Sequence, residues 1–152
     1  MKFKDAAIRY ANLDDVNSIV QLLNSAYRGE SSKAGWTTEA HIIGGNVRAN
    51  AEQVTEVITM PNSVMLVCTN TENTIIGCVN LQIHVSGVYL GMFSVQPLLQ
   101  GGGIGKKLLL AAEEFALANN VSRIYMTVID VRTELINWYK RNGYKDTGER
   151  KV

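Results

Sequence analysis

Apolar and polar residues along the chain follow two periods, one typical of strands and one typical of helices. β-rich runs predict strands over residues 6–10, 63–69, 74–85, 88–95 and 123–129, and a last strand that starts at Tyr144. Helical spacing of apolar residues predicts helices over 12–28, 50–60, 104–119 and 133–143, with a short helix over 39–43. The pattern therefore predicts an α/β chain in which a three-stranded antiparallel meander, residues 63–95, leads into a glycine-rich segment.

Polar residues mark where two of these helices begin. Asn12 is a favourable N-cap residue, and Asp14 and Asp15 follow it where the helix dipole favours negative charge. Asn50 with Gln53 has the spacing of a capping box. We therefore expect helices to begin at these two asparagines.

The segment 95–107 joins a predicted strand to a predicted helix through the glycines at 101–103 and Gly105. Glycine tolerates positive φ and lets a ligand approach the backbone closely. The first-turn amides of a helix and the positive end of its dipole favour phosphate. Lys106 and Lys107 add positive charge, so the segment predicts a phosphate-binding loop. The alternative is a glycine-rich turn that only joins the strand to the helix.

Spacing decides which kind of phosphate loop this is. A Walker loop is excluded because its glycine spacing does not match and no hydroxyl residue follows the lysines. A dinucleotide fingerprint that starts at Gly101 would need a third glycine where Lys106 stands. The remaining pattern, Q/R-x-x-G-x-G/A, is met by Gln100, Gly103 and Gly105. It resembles the pyrophosphate loop of the GNAT superfamily of acyl-CoA N-acyltransferases.

The resemblance extends over nearly the whole chain, from the opening strand and helix to the segment 138–144. It implies a single N-acetyltransferase domain over residues 1–152, with a mixed, mostly antiparallel sheet of about six strands and four to five flanking helices. Residues 27–30 and 35–39 look like those of a mostly uncharacterised, bacterial-type branch of the superfamily. Only residues 148–152 remain for the usual last strand. We therefore expect either an incomplete C-terminus or an edge shared within a homodimer.

The resemblance also implies the cofactor, acetyl-CoA, and the residues that would hold it. The amides of Phe93, Ser94 and Val95 would bind the pantetheine arm, and an N–H near Phe93 would face the oxyanion; Phe93 and Val95 can be core residues at the same time. The pyrophosphate would lie on the loop formed by Gln100, Gly101, Gly102, Gly103, Ile104, Gly105 and Lys106.

Tyr139 matches the GNAT tyrosine that protonates the departing thiolate. A phenol with a pKa of about 10 can donate to a thiolate whose conjugate acid has a pKa of about 8.5 only within a hydrogen bond that forms during transfer. Two alternatives stay open: the phenol orders the thioester sulfur, or the ring only packs in the core. Arg132 stands where many GNAT chains carry Asn, and it could contact coenzyme A, pair with Glu134 or hold Asp130.

The general base is the least defined part of the predicted site. The run 88–95 contains no carboxylate, which many GNAT enzymes carry there. An alkylammonium with a pKa of about 10.4 must lose a proton before it attacks, and the candidates are Glu39, Glu134 or a water relayed to His84.

On the acceptor side, three residues are candidates for contact with the substrate. Arg28 could bind an acceptor carboxylate or cap the first helix, and Trp36 could form a wall of the site or anchor a loop. Glu39, like Glu30, could attract a cationic acceptor or simply be solvated.

The composition of the chain argues against several classes of binding partner. The chain has 152 residues and a net charge of +1, which gives no electrostatic case for nucleic acid or an anionic membrane. Cys68 and Cys78 lie in apolar runs and are predicted to be buried, reduced thiols, and His and Cys are too few and scattered for a metal site. No apolar run suits a signal peptide or a membrane span, so a cytoplasmic protein is expected.

The sequence thus predicts direct acetyl transfer to an amine of a small molecule or peptide, without a covalent enzyme intermediate. No Cys or Ser lies in a nucleophile context. Two rival hypotheses are a non-catalytic acyl-CoA-binding or sensing module on the same fold, and a nucleotide-binding domain of another kind.

Overall fold

A five-stranded sheet, in the order β1-β2-β3-β4-β5, runs through the described part of the chain. The structure is a computed structural model, and it describes residues 3–27, 50–96, 99, 102–126 and 139–144. The strands are β1 (Ile8–Tyr10), β2 (Ser63–Thr69), β3 (Ile75–His84), β4 (Gly87–Val95) and β5 (Ile124–Tyr125). Neighbours from β1 to β4 are antiparallel, and β5 is parallel to β4. This confirms the predicted meander and the predicted mixed, mostly antiparallel sheet.

Three α-helices flank the sheet in the described residues: α1 (Val16–Tyr27), α2 (Ala51–Thr59) and α3 (Ile104–Ala118). The capping box of α2 is confirmed, because Gln53 N donates to Asn50 Oδ1 at 2.8 Å and Asn50 N donates to Gln53 Oε1 at 3.1 Å. Asn12 caps a 3-10 turn, Leu13–Asp15, and α1 follows that turn. The prediction of an α-helix that starts directly after Asn12 was therefore wrong by one turn.

The two faces of the sheet are covered by different helices. α1 and α2 pack on the face that carries Met65, Val67 and Cys78, and α3 packs on the face that carries Val79 and Phe93. This division follows from the period of two along a strand, which sends Cys78 and its neighbour Val79 to opposite faces. Both cysteines are buried and free, as predicted.

Several predicted elements fall on other parts of the chain. The short helix over 39–43, most of the helix over 133–143 and the strand beyond Tyr144 lie outside the described residues. Residues 139–141 are helical, in agreement with the end of the predicted helix.

The turn before α1 is held by a carboxylate with three polar contacts. Asp15 accepts from Arg9 in a bidentate pair, Nη1 to Oδ2 at 2.8 Å and Nη2 to Oδ1 at 3.0 Å, and from Asn12 N at 2.9 Å. The hydrogen bonds from Arg9 lower the pKa of Asp15 more than its partial burial raises it.

Replacing Asp15 with asparagine should lower the free energy of unfolding by about 1 kcal/mol at neutral pH, because a partly buried ion pair with Arg9 is lost and the capping-box contact to Asn12 N is weakened. The folded-state pKa of Asp15 lies below its unfolded value, so this stability is complete above the unfolded pKa of about 4 and is lost as the pH falls through the folded pKa. Urea unfolding at several pH values checks this. A difference between native and Asp15→Asn chains that persists undiminished at strongly acid pH would contradict it.

Candidate active site

The pairing of β3 with β4 slips by one residue near the middle of β4. Cys78 lies opposite Ser94 and Asn80 lies opposite Gly91, so two residues of β4 face one residue of β3. The first of the two, Met92, has φ of +45°, in the left-handed region that side chains rarely adopt. Such a backbone conformation lowers the stability of the folded chain by about 1–3 kcal/mol and persists only where the surrounding structure enforces it. The bulge therefore sets Met92 and Phe93 apart from the regular ladder.

β4 pairs with β5 at its beginning. Val88 lies opposite Ile124 and Tyr89 opposite Tyr125, and within the described residues the pairing goes no further. At Gly87, a Cβ would come within 2.6 Å of the Arg123 carbonyl oxygen, so only glycine lets the two strands approach this closely. The half of β4 that holds the bulge, residues 91–95, thus lies beyond the β5 pairing seen here.

The predicted phosphate loop ends at the start of α3. Gly103 caps the helix with φ of +86°, and a Cβ at this position would have open space around it. Gly102 N donates to the Leu99 carbonyl at 3.2 Å, which turns the chain just before the helix. The amides of residues 104–106 form the first turn and have no intrahelical carbonyl to bind. These amides and the positive end of the helix dipole favour the binding of an anion at the N-terminal end of α3.

Gly77 on β3 lets α3 lie close to the sheet. A Cβ built on Gly77 would be 3.0 Å from Ile104 Cγ2 and 3.0 Å from Leu108 Cδ1, both of them side chains of α3. Because Ile104 is the first residue of α3, the lack of a side chain at Gly77 lets the N-terminal end of α3, with its anion site, lie close to the sheet. No local sequence pattern indicates this role, since the contact joins residues that are far apart in the chain.

Replacing Gly77 with alanine should lower the free energy of unfolding by about 1–3 kcal/mol, the usual cost of overpacking a core. The added methyl group displaces the first turn of α3, so affinity for coenzyme A should fall as well. Thermal unfolding and calorimetric titration with coenzyme A check the two effects. Native stability together with native affinity would contradict this assignment of Gly77.

The two lysines after the loop are placed differently. Lys107 Nζ lies 3.6 Å from Asp5 Oδ2, in a half-exposed ion pair with the N-terminal segment. Lys107 therefore has an ionic partner on the N-terminal segment, and its contribution of charge to the phosphate loop stays a prediction. Lys106 is exposed at the start of α3.

Tyr139 lies beside the bulge of β4. Its side chain is 3% exposed, and its ring centroid is 6.1 Å from that of Phe93 and 5.8 Å from that of Tyr144. The ring belongs to the core cluster on the α3 face, which is compatible with each of the three predicted roles of Tyr139. The same packing places the ring next to the residue whose amide was predicted to face the oxyanion.

Tyr144 is a second buried tyrosine, and the sequence did not single it out. Its hydroxyl is buried and has no hydrogen-bond partner among the described residues. Burial, and secondarily the charge of Glu113, raise the pKa of Tyr144 to about 12. Tyr144 packs its ring against the ring of Tyr139, the predicted catalytic residue.

His84 lies far from this site. It is opposite Gly87 at the start of β4, and its Nε2 is 3.2 Å from Gln82 Oε1. Phe93 lies six positions after Gly87, which is roughly 20 Å along β4 at 3.3 Å per residue. His84 therefore lies at the opposite end of β4 from the bulge.

The structure brings together Phe93, Ser94, Val95, Tyr139 and the start of α3. The other predicted site residues lie outside the described residues: Arg28, Trp36, Glu39, Gln100, Gly101, Arg132 and Glu134. In the described part of the chain, no group of three His, Cys, Asp or Glu side chains could hold a metal ion. No described helix has the length and apolar character needed to cross a membrane.

Comparisons with known proteins agree with this fold. The model of the acetyltransferase (GNAT) family matches residues 17–144. A tetramutant of the BH1408 protein from Bacillus halodurans superposes with a TM-score of 0.75 at 17% identity, over 95% of this chain and 97% of that one. PaiA N-acetyltransferase from Thermoplasma acidophilum, solved with coenzyme A, gives 0.72 at 19% identity, over 91% and 88%.

A third solved structure comes from an uncultured soil metagenomic sample. It is an aminoglycoside acetyltransferase in complex with trehalose, and it gives a TM-score of 0.66 at 20% identity, over 95% of this chain and 90% of that one. No curated protein sequence matches the chain. At these identities, the solved structures establish the fold alone.

Proposed function

The chain belongs to the acetyltransferase (GNAT) family, and on that premise we propose that it moves an acetyl group from acetyl-CoA directly to an amine of a small molecule or peptide. The observation that carries the proposal is the position of Tyr139, whose ring lies 6.1 Å from that of Phe93 at the bulge of β4. The proposed proton donor, Tyr139, thus packs its ring against the ring of Phe93, the residue proposed to supply the backbone donor. Acetyl-CoA supplies an activated thioester, and the chain supplies the groups that hold and polarise it.

The start of α3 is proposed to bind the diphosphate of the cofactor. Its first-turn amides, residues 104–106, have no intrahelical acceptors, and Gly103 leaves open space in front of them. Lys106 adds an exposed positive charge at the same place. Gln100 and Gly101 complete the loop in this proposal, and Arg132 is proposed to contact another part of the cofactor.

The bulge of β4 is proposed to hold the reacting carbonyl. The backbone of Phe93, Ser94 and Val95 would carry the pantetheine arm, with the Phe93 N–H directed at the oxygen that gains negative charge. One such donor is typically worth about 10²–10³ in rate. Tyr139 would give its phenolic proton to the departing thiolate.

The acceptor side is proposed to lie between residues 28 and 39. Glu39 would take the proton from the attacking ammonium, directly or through water, and would also attract a cationic acceptor. Arg28 and Trp36 would bind and orient the acceptor. This part of the proposal rests on the sequence, because these residues lie outside the described ones.

A coenzyme A release assay with a panel of amines tests the proposed function. The panel should contain polyamines, amino acids, aminoglycosides and peptides with free N-termini, each with acetyl-CoA as donor. We expect release that depends on one class of amine and on the concentration of the protein. Binding of acetyl-CoA without acetylation of any amine would overturn the proposal.

A non-catalytic acyl-CoA-binding module is the second candidate, and one observation favours it. β4 carries no Asp or Glu along its whole length, so the strand next to the thioester lacks a built-in base. The same assay separates the two functions, because a module binds acetyl-CoA with a measurable Kd yet leaves the amine panel unchanged.

A further inference from the structure

The thiol of Cys78 contacts the bulge of β4. Cys78 is fully buried on β3, and its Sγ donates a hydrogen bond to the Met92 carbonyl oxygen at 3.3 Å. Met92 is the residue that adopts the left-handed conformation, so the thiol touches the bulge at its most strained point. The contact comes from the face of the sheet covered by α1 and α2, opposite to the face on which Phe93 packs.

The contacted carbonyl and the Phe93 amide belong to one peptide unit. A trans peptide is planar, and its C=O and N–H point in opposite directions. The described residues contain no cis peptide bond. When the Cys78 thiol holds the Met92 carbonyl, the Phe93 N–H must therefore point away from Cys78. The Met92–Phe93 peptide unit is thus oriented with its carbonyl toward Cys78 on β3 and its N–H away from Cys78.

The chemical state of Cys78 suits this contact. Burial raises the pKa of the Cys78 thiol to about 12, and the neighbouring backbone N–H of Ser94 lowers it by less. The group is therefore a protonated thiol at neutral pH and can donate its hydrogen. The same burial keeps it out of reach of water, which would otherwise compete for the carbonyl.

We infer that Cys78 is a positioning residue that aims the Phe93 N–H at the reacting carbonyl by holding the other end of the same peptide unit. The inference rests on the proposed function, since an aimed donor matters only if acyl transfer occurs at the bulge. Cys78 acts here through Phe93 and takes no part in bond making.

Cys68 offers a matched control. It is also a buried free cysteine, 1% exposed, but it lies on β2 and belongs to the core cluster on the opposite face. Valine is larger than cysteine by about one methyl group and has no donor, so Cys68→Val and Cys78→Val make the same change, each removing one buried thiol. Serine at position 78 keeps the shape of cysteine and a hydrogen-bond donor.

Steady-state kinetics of these variants test the inference. Cys78→Val should lower kcat about tenfold, because the Phe93 N–H would no longer point at the reacting carbonyl, and should leave the KM for acetyl-CoA unchanged. Cys78→Ser should recover most of the lost kcat, and Cys68→Val should keep the native value. A native kcat in Cys78→Val, an equal loss in Cys78→Ser, or an equal loss in Cys68→Val would overturn the inference.

An NMR comparison without substrate separates this inference from the proposed function. The Phe93 amide resonance and the Met92 coupling constant that reports φ should change in Cys78→Val and stay native in Cys68→Val. If the native chain acetylates no amine, the proposed function fails while these signals still decide whether the thiol sets the peptide direction. Unchanged Phe93 and Met92 signals in Cys78→Val would overturn that geometry.

Discussion

Replacing Tyr139 with phenylalanine should lower kcat about a hundredfold, the lower end of what a positioned proton donor contributes. The change removes only the hydroxyl, so the ring keeps its contacts with Phe93 at 6.1 Å and Tyr144 at 5.8 Å. Binding of coenzyme A should stay native, because the diphosphate is proposed to bind at the start of α3 and not at Tyr139. Kinetics with the best acceptor, together with calorimetry for coenzyme A, measure both quantities.

Tyr144→Phe is the matched control, since it makes the same chemical change in the same aromatic cluster. Its hydroxyl is buried without a partner among the described residues, so its removal should leave kcat unchanged and stability undiminished. If Tyr139→Phe and Tyr144→Phe lose activity equally, the effect comes from packing. A native kcat in Tyr139→Phe would remove Tyr139 from the mechanism.

Replacing Gly103 with alanine should weaken coenzyme A binding by about 10–100-fold. The new methyl group would stand in the open space before the first turn of α3 and would cost at least one charge-assisted hydrogen bond, worth about 1.5–3 kcal/mol. Alanine at φ of +86° should also lower the free energy of unfolding by about 1–2 kcal/mol. Calorimetric titration with coenzyme A gives the first quantity, and urea unfolding gives the second.

Gly143→Ala controls for the backbone strain. Gly143 has φ of +95° and open space around its Cβ position, and it lies after Tyr139 rather than at the loop. The Gly143→Ala variant should lose a similar free energy of unfolding to the Gly103→Ala variant and should keep native affinity for coenzyme A. An equal loss of affinity in both variants would mean that strain, and not the position of the diphosphate, weakens binding.

Local signals predicted most of the fold. The alternation along β2, β3 and β4 and the turn residues between them gave the meander, and the pair Asn50 and Gln53 gave the start of α2. Each of these elements depends on residues within a few positions of one another, which is the range that a sequence pattern reports. The glycines before α3 likewise predicted a left-handed turn, which Gly103 adopts.

Features that depend on contacts between distant segments could not be predicted. The bulge at Met92 arises from the register between β3 and β4, and no local pattern marks a methionine as left-handed. Gly77 matters because α3 lies over it, and Cys78 because its thiol reaches across to the next strand. The position of His84 opposite Gly87, at the far end of β4 from the bulge, likewise depends on strand register and not on residue type.

A crystal structure with coenzyme A bound would show whether the cofactor occupies the proposed site. We expect diphosphate oxygens within hydrogen-bond reach, about 2.6–3.2 Å, of the amides at the start of α3. We also expect the coenzyme sulfur between the bulge of β4 and the hydroxyl of Tyr139. A diphosphate bound elsewhere, or a sulfur on the α1 and α2 face of the sheet and away from Tyr139, would contradict the proposed site.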